Sequence, residues 1–312
     1  ESIHATIQLP ASKSISNRAL IIHALAKGSH RPENLSDCDD TQVMIRALEA
    51  KEGETINIQA AGTAMRFLTA YLAITEGETI ITGSERMQQR PIGTLVEALR
   101  MLGADITYMN REGFPPLRIQ GKPLQGGTLE IEAGISSQYI SALLMIGPCM
   151  KEGLTLKLKG NIASRTYIEL TLDLMRHYGA TAEWADERTL RIEPGCYEDR
   201  PLTVEGDWSG ASYWYELAAV AAHYGYEVDI RLHGMREDSR QGDRVVAQLF
   251  EELGVKTEYA EKGVELLISH LHTNLDQLLA DRNQGHLIKH FHSINSFLFF
   301  YKYYNILFLI CQ

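Results

Sequence analysis

Residues 10–20 read PASKSISNRAL, which sets a lysine, three hydroxyls and an arginine at the junction between a strand and a helix. Upstream, Ile7 and Leu9 alternate with polar neighbours, as in a half-buried strand. Downstream, Ala19, Leu20, Ile22, His23, Leu25 and Ala26 follow helical spacing up to Gly28. The first N–H groups of such a helix have no intrahelical partner and carry partial positive charge, so a phosphate or carboxylate can sit against them. Lys13 adds a mobile cation, and Arg18, one turn further in, adds a planar fork suited to carboxylate or hydroxyl recognition. The plainer alternative is a helix capped by Ser14 or Ser16 with two solvated cations.

The chain has 312 residues, 45% of them hydrophobic and 22% charged, enough for two cores and hence two domains. Its formal net charge of −10 argues against nucleic acid or an acidic membrane as partner, so an anionic substrate must be held by a local cation cluster. Cys38, Cys149, Cys196 and Cys311 are far apart, form no CxxC pair and follow no signal peptide, which predicts a reduced, cytoplasmic protein. Asp37, Asp39 and Asp40 around Cys38 precede the helical run at 43–50 and read as a complement to its start rather than as metal ligands.

Four segments, beginning near Ile7, Ile56, Leu129 and Leu202, share one plan of strand, small or polar turn, apolar helix, glycine and strand. Three are followed by a second helix that ends in a glycine and a strand, at Leu102-Gly103-Ala104, Tyr178-Gly179-Ala180 and Leu253-Gly254-Val255. A recurrence of about 75 residues marks a duplicated supersecondary unit, giving an α/β (α+β) fold made of copies. Helices then cluster behind small sheets and leave the turns to carry function.

The turn of the second copy is Ala60-Ala61-Gly62-Thr63-Ala64-Met65-Arg66, where Gly62 permits close backbone approach and Thr63 can cap the next helix. Arg86-Met87-Gln88-Gln89-Arg90-Pro91-Ile92-Gly93 follows, with Pro91 suited to a first helical position and Arg90 at its mouth. Ser136-Ser137-Gln138-Tyr139 opens the apolar helix at 140–150, and Ser164 and Tyr167 flank the start of another. Gly206-Asp207-Trp208-Ser209 opens the fourth, where Asp207 reads as an N-cap.

Five of these strings, in order, resemble the 5-enolpyruvylshikimate-3-phosphate synthases, the 3-phosphoshikimate 1-carboxyvinyltransferases: SKSISNRAL, AAGTAMR, RMQQRPIG, SSQY and SRTY. The resemblance implies a two-lobed enolpyruvyl transferase fold of repeated β-α-β-α-β-β units, with the first strand returning to the second lobe. By that analogy the first lobe spans 12–204, and 1–11 with 205–268 form an incomplete second lobe. It also implies a shikimate 3-phosphate site at Lys13, Ser14, Arg18, Ser136, Ser137, Gln138, Ser164 and Tyr167. A phosphoenolpyruvate site at Lys13, Gly62, Thr63, Arg90 and Gln138 is implied too, its glycine also lying against the herbicide glyphosate. Lys13 carries the catalytic role, and no cofactor or metal is implied. A cytoplasmic monomer working on two small molecules, without nucleic acid or membrane, is expected. Ala60 stands where the family has asparagine.

After His270 the composition changes. Phe291, Phe297, Phe299, Phe300 and Phe308 supply five of eight phenylalanines, no helix-glycine-strand landmark recurs, and a truncated or frameshifted coding sequence is expected to read this way. Lys302 and Asn305 interrupt an apolar run shorter than a membrane span, and the pairs His270/His272 and His290/His292 lack a third placed ligand. The aspartate base, the lysine–glutamate pair and the further cations of the family's second lobe are not identifiable. A remnant that binds shikimate 3-phosphate without turnover therefore stands as an alternative. The related transferase acting on UDP-N-acetylglucosamine is another, although it usually has a KN pair where this chain has Lys13-Ser14, and a cysteine in the loop that ends here at Arg90. A non-enzymatic repeat scaffold with serine-capped helices is the third.

Overall fold

A computed structural model describes residues 2–268 of the protein apart from Glu52, Ile135, Ala163 and Glu252; the aromatic tail and the paired histidines lie outside the described residues. Strand β1 (Ser2–Gln8) leads into helices α1 (Lys13–Ala26) and α2 (Asp39–Leu48). Next come β2 (Thr55–Asn57), α3 (Gly62–Ile74), β3 (Gly77–Thr82), α4 (Glu85–Gln88), α5 (Gly93–Met101), β4 (Asp105–Tyr108) and β5 (Leu117–Gly121). The plan repeats in β6 (Gly127–Glu132), α6 (Ser137–Ile146), β7 (Leu154–Lys159), α7 (Arg165–His177), β8 (Ala182–Trp184) and β9 (Thr189–Ile192). It ends with α8 (Trp208–His223), β10 (Glu227–His233), α9 (Val246–Glu251), β11 (Val255–Ala260) and β12 (Gly263–Ile268). No helix among the described residues is long and apolar enough to cross a membrane.

The described strands form three four-stranded sheets, in the orders β2-β3-β5-β4, β6-β7-β9-β8 and β1-β10-β12-β11. Each runs first, second, fourth, third, a parallel pair beside an antiparallel hairpin, and in the first two sheets a helix joins the parallel pair. The third sheet takes its first strand from the chain's start, β1 pairing in parallel with β10 from Ser2↔Glu227 to Gln8↔His233. Around Leu202, where a fourth strand was expected, there is only an isolated parallel bridge between Glu33 and Thr203. Four strand-like starts therefore give three sheets, because strand alternation specifies a buried face and not a partner.

The chain divides into two compact units, one of Pro10–Glu205 with Arg240–Gly242, the other of the described residues among 1–9, 206–239 and 243–312. In the larger unit α1, α3, α6 and α7 bury Ile21, Ile22, Met65, Phe67, Leu68, Leu143, Leu144 and Leu172 in one core with the inner faces of two sheets. The smaller unit closes α8 and α9 over its sheet around Trp208, Tyr215 and Phe250, with Tyr215 set edge-on to Phe250 at 5.7 Å.

Several local readings resolve differently from expectation. Ser12, rather than Ser14 or Ser16, caps α1, its hydroxyl accepting from the Ile15 amide at 3.4 Å. Lys27 (φ 53°) takes the left-handed cap assigned to Gly28, whose missing side chain instead leaves room for the Asp199 carboxylate. That carboxylate accepts from the Ser29 and His30 amides at 2.9 and 3.0 Å, and from the Ser29 hydroxyl and the His30 ring at 3.0 and 2.9 Å. The backbone amides are the main cause holding it well below the ordinary carboxylate range. Gly121 closes β5 directly over the carbonyls of Leu72 and Thr75 at the end of α3, where a Cβ would strike backbone.

Two outcomes follow for stability. Gly121→Ala should lower it by roughly 1–3 kcal/mol in a urea titration, since the atoms in the way are main chain and cannot rotate aside. Asp199→Asn should be less stable than wild type at neutral pH. A carboxylate depressed on folding contributes above its unfolded value near 4, so the gap should close as pH falls below that value; a gap unchanged across an acid titration would contradict this.

Candidate functional site

All the expected site residues lie in the larger unit, at helix starts and in the turns before them. One cluster forms around the first turn of α3. The exposed Arg90 lays its guanidinium over Gly62, where a Cβ would come within 2.5 Å of Nη1; a side chain on Gly62 would push the cation away. Thr63, one residue on, does not cap α3, because the helix already begins at Gly62 with Ala61 as its cap residue. Its hydroxyl instead accepts from the Gln138 side-chain Nε2 at 3.2 Å, joining the starts of α3 and α6. Pro91 precedes α5 by two residues instead of opening it, so its carbonyl remains available to other donors.

A second cluster surrounds Arg18. The side chain is 3% exposed, and burial pushes its guanidinium down to about 10, so it stays charged at neutral pH. Nε donates to Thr171 Oγ1 at 2.7 Å, Nη2 to Ser141 Oγ at 3.1 Å and Nη1 to the Ser14 carbonyl at 3.0 Å. The Phe67 and Tyr167 rings lie 5.3 and 5.7 Å from the guanidinium carbon. Arg18 thus spends much of its donor capacity inside the protein, tying α1 to α6 and α7. α6 links the two clusters, since Gln138 reaches the first and Ser141, one turn on, reaches the second.

Ser136 caps α6 by accepting from the Gln138 amide at 3.2 Å, while the neighbouring half-buried Ser137 makes no side-chain hydrogen bond among the described residues. Ser164 is exposed and left-handed (φ 55°), and its hydroxyl does not cap α7. Lys13, exposed at the first position of α1, has no ion pair among the described residues. These groups line helix starts as free donors and cations, an arrangement suited to anions. Asp207 caps α8, accepting from the Ser209 amide at 3.2 Å.

The model of the family described as EPSP synthase (3-phosphoshikimate 1-carboxyvinyltransferase) matches residues 1–55 and 45–278. The chain belongs to the EPSP synthase family. Among curated relatives, the 3-phosphoshikimate 1-carboxyvinyltransferase of Bacteroides fragilis ATCC 25285 is 60% identical over 264 residues, 85% of this chain and 63% of the relative. That of Photobacterium profundum is 38% identical over 289 residues, 84% of this chain and 66% of the relative. The chain thus spans a little under two thirds of these relatives' length. An EPSP synthase structure from Acinetobacter baumannii superposes with a TM-score of 0.70 over 90% of this chain and 69% of that one; at 18% identity the likeness concerns the fold.

Within the EPSP synthase frame, two groups escaped the sequence reading. Arg66, 4% exposed, donates to the Gly62 carbonyl at 3.1 Å and to the Pro91 carbonyl at 3.2 Å, and burial lowers its pKa. Its signal was present, since it follows Gly62 by four residues and so shares a helix face. Ser141 and Thr171 carried no such signal, being partners of a side chain more than a hundred residues away. Arg18→Ala should cost about 2–4 kcal/mol in a urea titration, because acceptors on α1, α6 and α7 lose one charged donor, and a loss under ~1 kcal/mol would mean that the buried fork contributes little.

Proposed function

We propose that the protein transfers the enolpyruvyl group of phosphoenolpyruvate to the 5-hydroxyl of shikimate 3-phosphate and releases phosphate, a step of the shikimate pathway toward chorismate and the aromatic amino acids. The observation that carries this reading is the meeting of Gly62, Thr63, Arg90 and Gln138, from three separate strings, at one anion-suited corner. The names of the relatives support the reaction class.

In this reading the Arg90 guanidinium grips the phosphoenolpyruvate anion against Gly62, with Thr63 and Gln138 beside it. Ser136, Ser137 and Ser164 take the phosphate of shikimate 3-phosphate at the starts of α6 and α7, while Ser14, Arg18 and Tyr167 border its ring. Lys13, on the first turn of α1, bridges the two substrates and takes part in proton transfer. The 5-hydroxyl gives up its proton as its oxygen attacks C2 of phosphoenolpyruvate and C3 gains a proton; the tetrahedral adduct then loses a proton from C3 as the C2–O bond to phosphate breaks, which restores the enol double bond and releases phosphate. Preorganised cations and helix starts supply the stabilisation, and no cofactor enters the scheme. The protein works in the cytoplasm as a monomer, on small molecules rather than nucleic acid or membrane.

Calorimetric titration with shikimate 3-phosphate, then phosphoenolpyruvate, with phosphate release followed in the same sample, tests this reading. Binding with release is expected. Binding without release would mean a protein that holds shikimate 3-phosphate without turning it over, and binding of UDP-N-acetylglucosamine instead would move it to the related transferase. Lys13→Met should weaken shikimate 3-phosphate by about ten-fold or more and abolish release; turnover near wild type would sink the role of that lysine.

A further inference from the structure

The Pro91 carbonyl, next to Arg90, is held from two sides. Tyr139, 5% exposed on α6, donates its hydroxyl to it at 2.7 Å, and Arg66 Nη2 donates at 3.2 Å. Two donors fill the two lone pairs of one oxygen. Arg66 also holds the Gly62 carbonyl with Nη1 at 3.1 Å, contacts Met87 Sδ at 3.7 Å and lies 5.9 Å from the Tyr139 ring centre. The Arg90 amide itself bonds the Met87 carbonyl at 3.0 Å, and the Ile92 amide bonds the Gly113 carbonyl at 2.9 Å. Because the Pro91 ring restricts its own φ and the residue before it, anchoring this one oxygen leaves the Arg90 backbone little freedom. The exposed guanidinium of Arg90 is therefore aimed over Gly62 by its main chain, since it has no side-chain ion pair among the described residues to aim it.

Tyr139 also directly follows Gln138, whose side chain reaches Thr63, and comes three residues after the α6 cap Ser136. We infer that Tyr139 is a positioning residue: through the Pro91 carbonyl it sets Arg90 relative to the start of α6, joining the phosphoenolpyruvate half of the site to the shikimate 3-phosphate half. This rests on the functional reading above. Arg66 completes the tether from α3. Such support is what holds a binding group at its productive geometry.

Tyr139→Phe removes only the hydroxyl and keeps the buried ring. Tyr197→Phe is a matched control, since Tyr197 is likewise buried and donates to a backbone carbonyl, that of Met145, at 2.7 Å in the same unit. Two measurements on the full chain decide the matter: amide hydrogen exchange without ligand, and calorimetric affinities for phosphoenolpyruvate and shikimate 3-phosphate. In Tyr139→Phe the amides of Gln89, Arg90 and Ile92 should exchange faster, phosphoenolpyruvate should bind about 2- to 10-fold more weakly, and shikimate 3-phosphate should be unchanged. Tyr197→Phe should move none of these. Unchanged exchange, unchanged phosphoenolpyruvate affinity, or an equal loss for both ligands in both variants would overturn the inference. A wild-type chain that takes up neither ligand would overturn the functional reading and the positioning role with it, even where the exchange data report the tether.

Discussion

The buried guanidinium of Arg18 is the constraint around which the larger unit is arranged. Taking a cation out of water costs several kcal/mol unless its donors are met, and here Thr171, Ser141 and the Ser14 carbonyl take one N–H from each guanidinium nitrogen while the Phe67 and Tyr167 rings lie beside it. Those partners lie on α1, α3, α6 and α7. Hydrogen bonds are directional where apolar packing is not, so a helix that rotated or slid would leave a charged donor unmet in the core. The relative setting of the helix starts, on which the candidate site is built, follows from that one group.

The same logic continues outward. Thr171 passes its hydroxyl to the Tyr167 carbonyl and bonds Ser141, and α6 then carries the order from Ser141 back to Tyr139 and Gln138. At that end Tyr139 holds the Pro91 carbonyl and Gln138 holds Thr63, while the Arg90 guanidinium and Lys13 stay exposed. A chain with a net charge of −10 can hold an anion only where such cations and helix starts are concentrated.

The sheets show how one supersecondary unit is reused with different ends. Two copies are continuous in sequence, while the third borrows β1 from the opposite end of the described chain and closes around Trp208, Tyr215 and Phe250. Its half-buried Ile3, Ala5 and Ile7 face the core of that unit, as their alternation predicts. The segment between Gln8 and Lys13 is therefore both the end of one unit's sheet and the start of the other's first helix.

Much of the site was legible because its residues sit in short strings at helix starts, where spacing over one turn reports which groups share a face. The resemblance of those strings to the family named Lys13, Ser14, Gly62, Arg90, Ser136 and Ser164 as candidate site residues, and the recurrence of helix-glycine-strand landmarks gave the repeat that sets the fold class. What spacing could not reveal is who meets whom: Thr63 and Gln138 are 75 residues apart, and Arg18 and Thr171 are 153. Caps shifted for the same reason, Ser12 and Lys27 taking places that local preference allowed to Ser14 and Gly28. The amino-acid sequence by itself determined the repeating unit, the anion-suited turns and the residue types in them, since these depend on interactions within a few residues. Only the tertiary structure decided that Arg18 is buried, that β1 pairs in parallel with β10 and in which register, and that the Pro91 carbonyl anchors Arg90, because each depends on groups brought together by packing from separate parts of the chain.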